Sequence, residues 1–455
     1  MRDTRNTKRP EAHTAVPRNS VRQSVDASLK DGAFWALMTG FVDPYIVPFA
    51  LALGSSALGI GFLRSVPALL GSLLLVFNEK FVAWLGSCRT AVFINVTAQA
   101  LAAGAGALSA FLPHPYGLLF FIAAVTAYTL SGVMASPPWA TLMGEYIPAS
   151  KRGEFFGFRS RMVGLIYFTA SFAASALLSV SGPAQAADGA FSVKGPLTGF
   201  VIIFALAGLF RLGSAYYITR MYEPRTRFHL PKAGRAAFRD IFDFGNKRLK
   251  AMFFSLFLML AATFLAAPYF SVYVLKDLHY GYLKYTFLMT IGPLMTYLFM
   301  KRWGLLADAF GSARLLRLSF LLIPTVPLLW ALNTNFVYLS LVEAFSGIIW
   351  GAYLIGVNNF LYEEAGANLR TRANACYGLI VGVAQFGGAM LGGWLYEVLP
   401  PWRGSPFIIV LVLSGVLRFA AFFVSARLIK DGRPRKPSSD YKLALFLFGL
   451  KPING

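Results

Sequence analysis

Residues 43–53 read DPYIVPFALAL, and residues 267–277 read APYFSVYVLKD. The two stretches align Pro44 with Pro268 and Tyr45 with Tyr269, and four more pairs follow in the same order along the chain. RSVPALL from Arg64 aligns with TIGPLMT from Thr290, setting Pro67 on Pro293. LGSCR from Leu85 aligns with FGSAR from Phe310. EYIPASKR from Glu145 aligns with EEAGANLR from Glu363, placing Arg152 on Arg370. GLFRLGSAYYITR from Gly208 aligns with GVLRFAAFFVSAR from Gly415, placing Arg211 on Arg418 and Arg220 on Arg427. The offsets are 224, 226, 225, 218 and 207, shrinking mainly where the first half carries the longer loop GPAQAADGAFSVKG. Five matches in order mark two copies of one unit.

Composition says where that unit lives. The 455 residues are 56% hydrophobic and only 14% charged, with 42 phenylalanines, more than a soluble core of this size uses. Hydropathy divides the chain into about twelve runs near the ~20 residues that a helix needs to cross a bilayer. They fall near 33–53, 56–77, 90–112, 116–144, 158–180, 197–219, 251–275, 282–300, 315–333, 336–360, 373–396 and 405–427. The expected fold is therefore all-α and integral to the membrane, with two pseudo-symmetric six-helix bundles at 33–220 and 251–428. A basic tail at 1–32, a polar linker at 221–250 and a second tail at 429–455 complete the division. The first 30 residues have no apolar core or cleavage site, so the first helix is expected to be retained.

The net charge of +22 could suggest nucleic acid, but its distribution argues for topology. With the N-terminus inside, only Lys194, Lys276, Lys284 and Arg403 fall outside, and Arg64, Arg211 and Arg418 fall within helices. The remaining basic residues face the cytoplasm, which predicts both termini inside a multi-pass inner-membrane protein. Cys88 and Cys376 lie on or near the reducing side, which argues against a structural disulfide. His13, His114, His229 and His279 are scattered, and no nucleotide loop, metal set or nucleophile constellation is present, so neither enzyme nor cofactor is expected.

GLLADAFGSARLLRL, from Gly304, resembles the signature of the major facilitator superfamily in the loop between the second and third helices of a half. Gly304, Asp308, Gly311 and Arg314 fit it, with Arg317 nearby. The resemblance covers about 33–427 and implies a transporter in which Asp308 accepts hydrogen bonds when the cytoplasmic side is closed. The first-half loop keeps Gly86 and Arg89 but has Ala83 where the aspartate belongs; Glu79 is the substitute within reach. WATLMGEYIPASKRGEFFGFRSR, from Trp139, also resembles a superfamily loop, which implies a cytoplasmic cluster of Glu145, Arg152, Arg159 and Arg161. The fifth helix lacks the Gly-Pro signature of drug/proton antiporters, and the chain most resembles poorly characterised bacterial members.

Ionisable groups inside spans cost about 2.5 to 3.5 kcal/mol each on insertion scales unless partnered or hydrated. Asp43 and Arg64 lie about 15 and 12 Å from the outer ends of the first two spans at 1.5 Å per residue. The second half has Ala267 and Thr290 instead, losing both charges together, so a directly touching pair is expected. Whether that pair is structural or also meets substrate or proton is left open by the residues. Pro44 and Pro48 should loosen the first helix and free carbonyls there. Glu343, in the tenth span, reads either as a proton carrier without a membrane cation at its depth or as a glutamate reaching outer water. Arg211 and Arg418 read as cytoplasmic-side anchors. Tyr45, Tyr128, Tyr269, Trp35 and Trp350 are candidate cavity linings, and the tail YKLALFLFGL from Tyr441 is too short to span and suits the membrane surface.

The function expected is secondary transport of a small solute by alternating access, coupled to a proton or another ion, in a monomer surrounded by lipid. A transport-inactive receptor or scaffold on the same fold is the alternative.

Overall fold

The computed structural model describes residues 18–148, 151–181, 197–223 and 246–429. The tail before residue 18, the whole 182–195 loop, most of the linker, the stretch from Tyr441 and the side chain of Arg370 lie outside the described residues.

Among the described residues, eleven helices are long and apolar enough to cross a membrane. They are α1 (Asn19–Ala52), α2 (Ala57–Leu75), α3 (Cys88–Phe111), α4 (Tyr116–Tyr146), α5 (Glu154–Ser181), α6 (Thr198–Thr219) and α7 (Lys247–Asp277), then α9 (Ser312–Leu332), α10 (Phe336–Ala365), α11 (Arg372–Val398) and α12 (Phe407–Leu428). Between them lies α8 (Tyr282–Phe310), 29 residues long but diluted by Lys284, Lys301, Arg302 and Asp308. Helices dominate because lipid offers no partner for backbone amides, so the chain must satisfy them within each span. Side-chain caps fix several starts: Ser56 Oγ accepts from Gly59 N at 3.1 Å, Ser87 Oγ from Thr90 N at 2.9 Å and Asn335 Oδ1 from Val337 N at 2.9 Å.

α1 begins well before the expected residue 33. Its polar first turns are held by protein contacts: Ser24 Oγ accepts from Tyr222 N at 2.9 Å, and Ser28 Oγ lies 3.1 Å from Met143 Sδ. Hydropathy is blind to a helix extended in this way. Residues 336–398 form one helical run in which α10 and α11 double back. Both of its ends meet residues 277–280, through Tyr280 Oη to Thr334 O and Tyr396 Oη to Asp277 Oδ2.

The repeat is visible in three dimensions. A 3₁₀ turn interrupts the helix at Asp43–Tyr45 and again at Ala267–Tyr269, at the matched prolines. Gly86 and Gly311 both take positive φ, 68° and 94°, where glycine alone is unstrained. Phe49 stacks on Phe200 at 4.8 Å, and Tyr273 meets Phe407 at 5.2 Å. Those two pairs are separated by the same 224 and 207 positions read from the sequence matches. Each ring pair ties the first helix of a half to its last and is worth about 0.5–1.5 kcal/mol beyond area burial.

The loops at 53–56, 112–115, 278–281, 333–335 and 399–406 share one end of the molecule, termed the far face. The loops at 76–87, 220–223 and Gly311 mark the near face, with residue 18. Hydrogen bonds between halves gather toward the far face: Tyr45 Oη with Thr286 Oγ1 at 2.8 Å, Tyr285 Oη to Pro44 O at 2.6 Å, and Leu58 N to Glu397 Oε1 at 2.8 Å. α2 and α11 approach so closely there that a Cβ at Gly393 would sit 2.9 Å from Leu58 Cα.

Candidate functional site

A cavity of about 230 Å³ lies between the halves, lined by Asp43, Arg64, Tyr167, Ser271, Tyr285 and Gln385 among others. The local sequence of α1 builds its floor. Pro48 has no N–H, so the carbonyl of Pro44 loses its helical donor; the Tyr285 hydroxyl of the other half supplies one. The same 3₁₀ turn carries Asp43, whose Oδ1 accepts from Tyr128 Oη at 2.9 Å. Gln385 Nε2 donates to Arg64 O at 2.8 Å, tying the turn-facing side of α2 to α11.

Asp43 and Arg64 do share one cavity, but the expected contact between them is absent: the ion pairs among the described residues lie elsewhere, and none within 4.0 Å joins these two. Both side chains are exposed to the cavity, where direct pairing contributes little, and Asp43 has taken the nearer phenol instead. Tyr45, Tyr269 and Tyr285 nearby are almost fully buried. Tyr128 does not line the cavity; it is buried behind Asp43 and reaches the cavity only through that hydrogen bond. Tyr45 and Tyr269 instead spend their hydroxyls in the seal: Tyr45 Oη donates to Ser171 O at 2.5 Å, and Tyr269 Oη donates to Ala389 O.

Glu343 lines a second cavity, about 450 Å³, within the second half, together with Thr296, Ser346, Trp350 and Arg418. Its Oε1 accepts from Trp330 Nε1 at 2.8 Å. The expectation of no cation at its depth is corrected by Arg418, which faces the same space without a direct ion pair. Arg418 is not a snorkelling anchor either. It is 3% exposed, with Nε donating to Ser414 Oγ at 3.0 Å and Nη2 to Thr263 O at 3.3 Å. Arg211 is likewise 5% exposed, with Nε donating to Gln99 Oε1 at 2.8 Å. Spacing along a helix gave their depth but not the face they occupy.

Sequence reading missed Asp31. It is buried in α1 with Oδ2 3.5 Å from Arg159 Nη2 and Oδ1 3.9 Å from Arg211 Nη1, and Ser214 Oγ donates to it at 2.6 Å. Starting the first span at 33 placed this residue in the tail. The signal available was the repeat itself, which sets Arg211 on a buried helix face in need of an acid.

At the near face, Gly304 lies within α8, Gly311 makes the turn after it, and Asp308 is exposed in the last turn, in none of the hydrogen bonds or ion pairs among the described residues. Arg314 is half-buried just beyond. Ser312 Oγ donates to Glu363 Oε2 at 2.7 Å, whereas its counterpart Ser87 binds Glu223. The cluster expected around Glu145 does not assemble as one unit. Arg152 caps the end of α4, donating from Nη2 to Gly144 O at 2.6 Å and from Nε to Ile147 O at 3.0 Å. Arg159 turns to Asp31, Arg161 bonds Gly157 O at 3.3 Å, and Glu145 stays exposed, as does Glu79. Among the described residues, no group of three or more His, Cys, Asp or Glu side chains could hold a metal.

Residues 252–448 match the family model of the Major Facilitator Superfamily. An uncharacterized MFS-type transporter of Mycobacterium tuberculosis is 32% identical over 30% of this chain, and Quinolone resistance protein NorA of Staphylococcus aureus is 25% identical over 44%. The chain spans 19% and 49% of the lengths of those two relatives. Among solved structures, a mutant of the nucleoside transporter NupG superposes with a TM-score of 0.66 over 90% of this chain and 100% of its own, at 14% identity. A bacterial homologue of the iron transporter ferroportin in an inward-facing state gives 0.64 over 91% and 99%, also at 14% identity.

Proposed function

We propose that the chain is a member of the major facilitator superfamily, whose family model its residues 252–448 match, and a secondary active transporter of twelve spans, moving a small solute by alternating access with proton coupling. The near face is then cytoplasmic, in keeping with its basic loops and tails, and the halves stand open to it. The observation that carries this reading is the Asp43–Arg64 cavity, lined by both halves and bounded by hydrogen bonds between them. A solute bound there touches both bundles, so binding can bias their rocking. Glu343, in its own cavity beside Arg418, is the proton carrier in this scheme, and Asp308 is the gate residue, without a partner among the described residues while the near face is open. Asp308→Asn should then cost little stability in this state but raise labelling of near-face cysteines; unchanged labelling removes the gate role.

The test of transport is a flux assay on the full chain in proteoliposomes holding a pH-sensitive dye, challenged with solute panels preselected by thermal shift. Saturable, solute-dependent proton movement is the expected result. A solute that stabilises the protein while neither it nor protons cross would make the chain a transport-inactive receptor and overturn the proposal.

A further inference from the structure

Asp31, Arg159 and Arg211 meet at a cavity of about 220 Å³ inside the first half, apart from the space between halves. Two guanidiniums, which do not deprotonate in proteins, share one carboxylate there, so the cluster carries one excess positive charge. The other charged groups of this part of α1, Arg22, Asp26 and Lys30, line a different cavity beside Arg220. Asp43 is engaged by Tyr128. Among the described residues, no second carboxylate lines the Asp31 cavity.

Its donors are also incompletely used. Arg159 Nη1 and Arg211 Nη2 enter no hydrogen bond among the described residues, although the other nitrogens of both side chains do or face Asp31. The indole Nε1 of Trp139, on the cavity wall, is buried without a partner among the described residues. Arg159 lies 4.4 Å above that ring and holds it in place. An unmatched buried N–H and an uncompensated buried cation are both costly. A single small oxyanion would relieve both.

We propose that this cavity is an oxyanion site, taking a carboxylate or phosphate group between Arg159, Arg211 and the Trp139 N–H, with Ser136 at its rim. Planar guanidiniums suit such groups, and each bond to them is charge-assisted. The site lies within one bundle and does not depend on the transport reading.

The test measures melting of the purified full chain titrated with sodium acetate, with inorganic phosphate and with micelles containing phosphatidylglycerol, against sodium chloride at equal ionic strength and pH. Saturable stabilisation by an oxyanion above the chloride control is expected, and the arm that gives it separates a free anion from a lipid headgroup. Trp139→Phe keeps the ring under Arg159 but removes the donor, and should weaken the apparent affinity about threefold to tenfold. Arg159→Gln leaves Asp31 and Arg211 matched one to one and should abolish the effect. A purely structural cluster predicts no loss of anion response in Trp139→Phe. That result, or wild-type stabilisation no larger than with chloride, overturns the site even if Arg159→Gln fails to fold.

Discussion

The two halves set an arginine at matched positions, Arg211 and Arg418, and balance it by different means. In the first half the acid is Asp31 on the first helix of the bundle, close to both Arg159 and Arg211. In the second half Ser255 stands 224 positions on from Asp31, its hydroxyl turned back to Ala251 O at 2.8 Å. Arg418 leans on Ser414 and on carbonyls, and the acid has moved to α10 as Glu343, across a cavity. Duplication has kept the skeleton: paired 3₁₀ turns, paired positive-φ glycines, a paired ring contact and paired buried arginines. The compensating charges diverged. A fixed cluster suits a bundle that stays rigid, while an acid and a base held apart leave room for a proton or a ligand to change the balance.

The largest effect should come from breaking the fixed cluster. Asp31→Asn strands two buried guanidiniums, and loss of one partner of a buried pair costs roughly 3–5 kcal/mol. Ser255→Ala, at the matched position, removes only a local back-bond and should cost under about 1 kcal/mol. Melting of the purified variants reads the contrast, and equal shifts would mean that Asp31 is not the first half's counter-ion in any sense that the second half lacks.

Glu343→Gln probes the open arrangement. Glutamine still offers Trp330 Nε1 an oxygen, so the fold should hold, but it cannot cycle a proton. Flux driven by a pH gradient should fall at least about tenfold, the equivalent of ~1.4 kcal/mol in a rate, while exchange of solute at equal pH persists. Survival of gradient-driven flux would return coupling to the Asp43 cavity.

The seams within and between halves should differ as well. A Cβ at Gly347 runs into the Gly292 carbonyl, where α8 and α10 cross inside the second half. Gly347→Ala should therefore destabilise the bundle by about 1–3 kcal/mol. At Gly393 a Cβ meets the Tyr269 hydroxyl of the same half at 2.6 Å and Leu58 Cα of the other half at 2.9 Å, and rocking the halves apart relieves only the second contact. Gly393→Ala should lower melting less than Gly347→Ala, because a side-chain end and a movable seam give way more easily than two backbones within one bundle, and should raise far-face cysteine labelling. A large melting loss there would show the seam to be as rigid as a bundle interior.

The pattern of what sequence revealed follows the same division. Helix positions and the repeat were largely readable because apolar length and proline act locally: Pro44 and Pro48 marked a loosened first helix, while the matching turn at Ala267–Tyr269 appeared only in the structure. The aromatic ties from Phe49 to Phe200 and from Tyr273 to Phe407 obey the same offsets, but that these rings meet was not readable from the residues. Partners were not readable, because 1.5 Å per residue gives depth along a helix but not the face that a side chain takes. Depth paired Asp43 with Arg64, yet Tyr128 was nearer. Asp31 was hidden because its helix starts in a polar stretch held by Tyr222 and Met143, contacts that no hydropathy window sees.

The smallest effect, and the finest test of the comparison, concerns Asp43 and Arg64, the charges that the second half lacks as a pair. Exposed to one cavity but out of contact, they should couple through space only weakly, by about 0.2–1 kcal/mol, as exposed pairs do. Asp43→Asn, Arg64→Gln and the double variant form the cycle, read by melting. Near-additive losses are expected in the absence of solute. With a transported solute present, the same cycle should show larger coupling, because a ligand spanning the two groups makes each depend on the other. Coupling above about 2 kcal/mol without solute, more than exposed pairs supply, would mean that the two charges meet directly in another state of the molecule, and that the open geometry is only one half of their cycle.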